Sequence, residues 1–201
     1  MTSTETVADA PRESRAARLV TDGFEPKNWI LVVTLLVGWH ADGLAGVGWG
    51  LFGALFAAVI PVLFIKLGIR RGTWADRHLG VRQQRLVVMV FIICSVATGT
   101  VLMSFLGAPS AMVALIAAMV STLVILMAIT FAWKISVHAA VSSGSITILA
   151  LTYGPWLLAA YSLVALIGWS RVALRDHTPA QVVAGAVLGS VVAGLTFSLL
   201  R

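Results

Sequence analysis

The chain has 201 residues, of which 59% are apolar and 11% charged, with a net charge of +6 and a mean hydropathy of +0.98. A soluble domain carries about 25% charged residues, so this composition excludes an ordinary water-soluble fold. The positive surplus does not point to nucleic acid: the bases flank long apolar runs, where anionic lipid and loop orientation account for them.

In chain order, residues 1–25 are polar and of mixed charge, with no apolar stretch before Trp29. They read as a flexible polar tail rather than a cleavable signal. Residues 26–201 read as one transmembrane helical domain. No Asp, Glu, Lys or Arg occurs in 43–65, 86–133, 135–170 or 178–200. A helix needs roughly 20 apolar residues to cross a hydrocarbon core, and these runs lack the alternation of barrel strands. The expected fold is therefore all-α, a polytopic bundle of about six or seven spans. The spans are placed near 28–46, 48–68, 86–106, 110–133, 138–153, 155–171 and 178–200. Breaks are expected at Gly46-Val47-Gly48, Gly107-Ala108-Pro109 and Gly154-Pro155. Trp29, Trp39, Trp49, Trp133, Trp156 and Trp169 fall near proposed span ends, as an interfacial belt requires. Gly185, Gly189 and Gly194 suit close helix packing. Cys94 is alone, so no disulfide framework exists.

Three polar clusters interrupt the apolar sequence, at 74–85, 134–138 and 170–181. A helical hairpin separates each from the next, so span parity returns all three to one face. Thirteen of the fourteen Lys and Arg residues fall on that side, which the positive-inside rule makes cytoplasmic. Taken singly, Arg77, Arg82 or Arg85 reads as part of a solvated loop, and Lys134 as a base snorkelling to the interface. Ionisable groups at membrane depth are costly and are functional candidates by default. His138 and His177, recurring beside Lys134, Ser136, Arg171 and Arg175, are harder to explain as isolated residues. Arginine forks, a lysine and a serine hydroxyl match the oxygens of a phosphate. Thr178-Pro179 reads as an N-cap followed by proline at N1, which puts His177 beside a helix N-terminus, where anions are favoured. Two histidines then suffice to cleave a phosphate ester, one attacking phosphorus and the other protonating the leaving alkoxide.

These residues resemble the signatures of the type-2 phosphatidic acid phosphatases, relatives of the vanadium haloperoxidases. Ser170-Arg171, five residues and then His177 match the third signature, with Gln181 where that signature has aspartate. Ile135-Ser136-Val137-His138 stands where the family has Pro-Ser-Gly-His. Arg85 takes the arginine of the first signature, and His78 its lysine slot. The similarity covers roughly 66–190. It implies His177 as the phosphorylated nucleophile and His138 as the leaving-group acid. It also implies a phosphate cradle of Arg85, Ser136 and Arg171, with no metal and no cofactor. Arg82 and Lys134 join the cradle on charge and proximity in sequence. Gln181 lies one helical turn beyond His177 and is placed to accept a hydrogen bond from it. Asp176 and Asp76 are the other candidates to orient the ring.

The implied activity is a metal-independent phosphatase acting on a membrane lipid phosphate: a polyprenyl phosphate or diphosphate, or a phosphatidate-like lipid. The alternatives are a catalytically degenerate lipid-binding or structural membrane protein on the same fold, or a phosphotransferase. The expected partners are the bilayer and the lipid substrate, and a homo-oligomer is compatible with the sequence.

Overall fold

The computed structural model describes residues 12–73 and 82–201, and every regular element among them is helical. Helix α1 covers Arg12–Gly23, α2 Pro26–Ala54, α3 Ile60–Arg70 and α4 Arg82–Phe105. They are followed by α5 Ser110–Thr130, α6 Val137–Tyr153, α7 Tyr161–Ala173 and α8 Pro179–Leu200. A π-helical turn, Leu55–Val59, carries α2 into α3, and a 3-10 segment, Pro155–Ala160, leads into α7. Hydrocarbon offers backbone groups no water, so each apolar run must satisfy its own N–H and C=O groups, and the helix does this within one segment.

Five helical stretches are long and apolar enough to cross a membrane, and α6 is a shorter apolar helix. The first stretch, Arg15–Arg70, is folded back on itself. Within α2, Asp42 (φ −158°, ψ 36°) and Gly43 (φ 51°, ψ −130°) leave helical geometry. A Cβ on Gly38 would lie 2.2 Å from the Gly46 carbonyl oxygen, and one on Gly50 would lie 2.6 Å from that of Thr34. Residues eight apart in a straight helix are separated by about 12 Å, so these approaches require two antiparallel arms. The glycines at 46–48 predict this reversal there. The structure makes it at Asp42–Gly43, where glycine supplies the positive φ. Gly46 is used instead for the backbone contact between the arms. Among the described residues, counting the arms separately and including the shorter α6 gives seven apolar helical segments.

The outer surface is apolar. Val183, Val187, Val191, Leu195 and Leu199, one residue per turn along α8, are all exposed. Such a stripe is unfavourable in water and suits a lipid-facing side. On the opposite side of α8, glycine admits α6. A Cβ on Gly185 would meet the Ser136 carbonyl at 2.5 Å, and one on Gly189 the Ala140 carbonyl at 2.0 Å. Hydroxyls reinforce the seam: Ser143 Oγ donates to the Ala186 carbonyl at 2.8 Å. Tyr161 Oη lies 2.7 Å from Thr147 Oγ1 and 2.6 Å from Ser190 Oγ, joining α6, α7 and α8.

Residues 1–11 of the expected flexible tail lie outside the described residues, and from residue 12 the chain departs from it. Residues 12–23 form α1, which lies on α7. Ala17 and Thr21 are buried, and Val20 and Phe24 pack against a cluster of Trp29, Ile146, Val164 and Ile167. Positions 17, 20, 21 and 24 share one helical face. The charges between them dilute the apolar signal below that of a span, so the segment reads as polar in sequence.

The seam between α6 and α8 gives a direct test. Gly189→Ala places a Cβ against backbone and should lower the unfolding midpoint in detergent, with a cost of about 1–3 kcal/mol. Gly48→Ala, with nothing within 4 Å of the added Cβ, should leave the midpoint unchanged or raise it slightly.

Candidate functional site

The turn from α7 to α8 is built by backbone geometry. Arg175 has φ 57°, its N–H bonds the Val172 carbonyl at 2.9 Å, and the Asp176 N–H bonds the Arg171 carbonyl at 3.1 Å. This is a Schellman closure with arginine where glycine is usual. The His177 N–H shares the same Arg171 carbonyl at 3.3 Å. Thr178 then caps α8: its Oγ1 accepts from the Gln181 N–H at 3.3 Å, and Gln181 Oε1 accepts from the Thr178 N–H at 3.1 Å. This reciprocal capping box fixes both the start of α8 and the Gln181 side chain.

The capping box also determines the protonation of His177. His177 Nδ1 lies 3.2 Å from Gln181 Oε1. The Thr178 N–H can only donate, so the amide atom it meets is the oxygen. The ring must therefore carry its proton on Nδ1, which leaves the lone pair on Nε2. Burial lowers the pKa of His177 from 6.5 to about 4, and the positive charges of Lys134 and Arg171 act in the same direction. The Gln181 hydrogen bond and the Asp176 carboxylate oppose the shift without cancelling it. At neutral pH the ring is an uncharged imidazole with a free lone pair.

Arg171 is 5% exposed. Its Nη2 pairs with Asp176 Oδ2 at 2.8 Å, while Nε and Nη1 are buried with no hydrogen-bond partner among the described residues. Unfilled donors on a buried charge are expensive, and an anion is the chemistry that would satisfy them. Asp176 serves this guanidinium; Gln181 is the group bonded to the His177 ring. The Asp22 carboxylate of α1 also acts electrostatically on Arg171, and Thr21 Oγ1 lies 3.0 Å from Ser170 Oγ. Helix α1 thus supports the site, a role the sequence reading missed. Its signal was the 17, 20, 21 and 24 spacing.

The 134–138 cluster is joined to this turn by two bonds. Lys134 Nζ donates to the Asp176 carbonyl at 2.6 Å, and the Ser136 N–H to the Gln181 carbonyl at 3.3 Å. Partial burial lowers the pKa of Lys134, and repulsion from Arg85 and Arg171 adds to the shift while Asp176 opposes it. That repulsion brings Arg85 of α4 into the same electrostatic field. Ser136 is fully buried and caps α6, its Oγ accepting from the Ala139 N–H at 3.4 Å. His138 stands in the first turn of α6, half-buried, and its carbonyl accepts from Ser142 Oγ at 2.8 Å. Direct bonds therefore gather His177, Gln181, Arg171, Asp176, Lys134 and Ser136, and charge draws in Arg85. Asp76 and His78 lie outside the described residues; Arg82 opens α4, and its side chain lies outside them too.

No protein-family model, curated protein or solved structure matches the chain.

Two predictions follow from the turn. Since the folded pKa of His177 lies below 6.5, the unfolded chain binds more protons between pH 6.5 and about 4. Its contribution to stability is then full above 6.5 and is lost as pH falls through about 4. His177→Gln should flatten the pH dependence of the unfolding midpoint across that window relative to the parent protein. Arg175→Gly relieves a left-handed backbone conformation and should stabilise the fold by about 1 kcal/mol.

Proposed function

We propose that the protein is a phosphatase of membrane lipid phosphates, acting through a phosphohistidine at His177. The observation that carries this reading is the shared acceptor Gln181 Oε1, 3.2 Å from His177 Nδ1, which directs the lone pair to Nε2. The Nε and Nη1 donors of buried Arg171, unfilled among the described residues and five residues before Asp176 in the same turn, supply an anion receptor. The resemblance to the type-2 phosphatidic acid phosphatases assigns the same residues to the same roles.

In the first step His177 Nε2 attacks phosphorus and the ester P–O bond breaks. His138 delivers its proton to the departing alkoxide. In the second step His138 takes a proton from water, the water oxygen bonds phosphorus, and the N–P bond breaks to release inorganic phosphate. Arg171, Lys134 and Arg85 neutralise charge on the phosphoryl oxygens, and the Ser136 hydroxyl offers a neutral donor. Because the substrate's hydrocarbon stays in the bilayer, a site at a helix end suits a polyprenyl phosphate or diphosphate, or a phosphatidate-like lipid. Bases concentrate at the site-bearing end, and by the positive-inside rule we assign that end to the cytoplasmic surface.

A second reading has its own support. Gln181 is neutral and stabilises an imidazolium less than a carboxylate would. A lipid-phosphate-binding or structural membrane protein without turnover is consistent with that substitution. A phosphotransferase differs only in the alcohol that resolves the phosphoenzyme.

Purified protein assayed on a panel of lipid phosphates separates these readings. Phosphate release should disappear in His177→Ala and nearly disappear in His138→Ala, and turnover that survives both would refute the phosphatase. Gln181→Glu keeps the capping box and sets a carboxylate against Nδ1. It should raise kcat by an order of magnitude or more, the reverse of the loss caused by carboxylate-to-amide swaps in triads. Release detected only in that variant would favour the non-catalytic reading, and dependence on added acceptor alcohols the transferase.

A further inference from the structure

Beside the site, the lipid-facing surface carries a shallow, open apolar groove between α5 and α8, lined by Ile125, Ala184, Val187, Leu188 and Val191 among others. It extends along α8 from Ala180 to Val192, twelve residues or about 18 Å of helix. Two features connect it to the anion site, and a third opens it to the bilayer. Gln181, Ala184, Leu188 and Val192 are spaced three, seven and eleven residues apart and form one stripe of α8, so the floor of the groove continues directly from the residue that holds His177. Ala184 and Leu188 rest on a buried cluster that includes Ile135, which lies between Lys134 and Ser136 in the chain. The outer lip, Val183, Val187 and Val191, is exposed, so the groove opens sideways to the bilayer.

An apolar trough that begins at Ala180, next to Gln181 of the turn that also holds a buried guanidinium with donors unfilled among the described residues, is complementary to one amphiphile: a hydrocarbon chain ending in phosphate. We infer that the α5–α8 groove is the seat of the substrate's hydrocarbon chain, entered laterally from the membrane, with the phosphate drawn up to Arg171 and Lys134. This rests on the lipid-phosphatase reading for the identity of the head group. It adds that the enzyme reads the chain as well as the phosphate. A substrate seated this way keeps its tail in an apolar medium throughout, so no hydrocarbon need be pulled into water to reach His177.

The test is photolabelling of the full chain in phosphatidylcholine nanodiscs. The probes are hexadecyl phosphate bearing a mid-chain diazirine and the neutral alcohol with the same chain. The phosphate should label 180–192 and Ile125 in preference to the rest of the lipid-facing surface, and the alcohol should show no such preference. Ala184→Trp fills the floor and should weaken the preferential labelling about tenfold. Val187→Trp, at an exposed position that does not disturb packing, should weaken it in the same direction, and Val101→Trp on α4 should not. Equal labelling by both probes, or labelling indifferent to Ala184→Trp and Val187→Trp, would mean the groove holds only bulk lipid and would overturn the inference. The two proposals fail separately. Selective labelling without phosphate release from any lipid leaves the chain seat standing and removes the phosphatase, whereas phosphate release without selective labelling does the reverse.

Discussion

The close approach of α6 to α8 is the constraint from which the rest of the site follows. Two helices whose backbones nearly touch need glycine at the crossing, and Gly185 and Gly189 provide it against the Ser136 and Ala140 carbonyls. In a bilayer no hydrophobic force drives helices together, so this contact relies on backbone van der Waals packing and short hydroxyl bonds. Its effect is positional. With the first turns of α6 and α8 held side by side, the Ser136 N–H reaches the Gln181 carbonyl and Lys134 reaches the Asp176 carbonyl. Two polar clusters some forty residues apart in sequence become one.

Within that frame the local chemistry is economical. One amide oxygen, Gln181 Oε1, satisfies an orphan N–H of the α8 terminus and fixes the tautomer of His177. One carboxylate, Asp176, satisfies part of the Arg171 guanidinium, and the remaining donors are unfilled among the described residues. Such incomplete satisfaction is costly in a buried site and is tolerated where an anion completes it. The left-handed Arg175 belongs to the same pattern, because strain in a tight turn sets the direction in which Asp176 and His177 leave the helix. Under the proposed function, the neutral partner of His177 and the lowered pKa of the ring favour the attacking form. They do so at the expense of the phosphorylated, positively charged one.

The first helix changes how the N-terminal region is understood. By composition it is polar, yet α1 lies against α7, and Asp22 acts on Arg171. Its inward face sets Thr21 Oγ1 against Ser170 Oγ, the residue that precedes Arg171 in the chain.

The sequence by itself determined the helical class, most of the segment boundaries and the meeting of the 134–138 and 170–181 clusters. These depend on composition and period: charge-free runs of spanning length have only one backbone solution in hydrocarbon, and parity follows from counting them. The relation between His177 and Gln181 was also legible, because a four-residue spacing across a capped helix start is a local property. Tertiary structure decided the rest. The reversal at Asp42–Gly43 rather than at Gly46 depended on which glycines were needed for contact between arms. Asp176 turned to Arg171 because burial of that guanidinium made it the nearer and more demanding partner. The packing of α1 and the groove beside α8 depend on which faces of distant helices meet, and that information is not carried by any one segment.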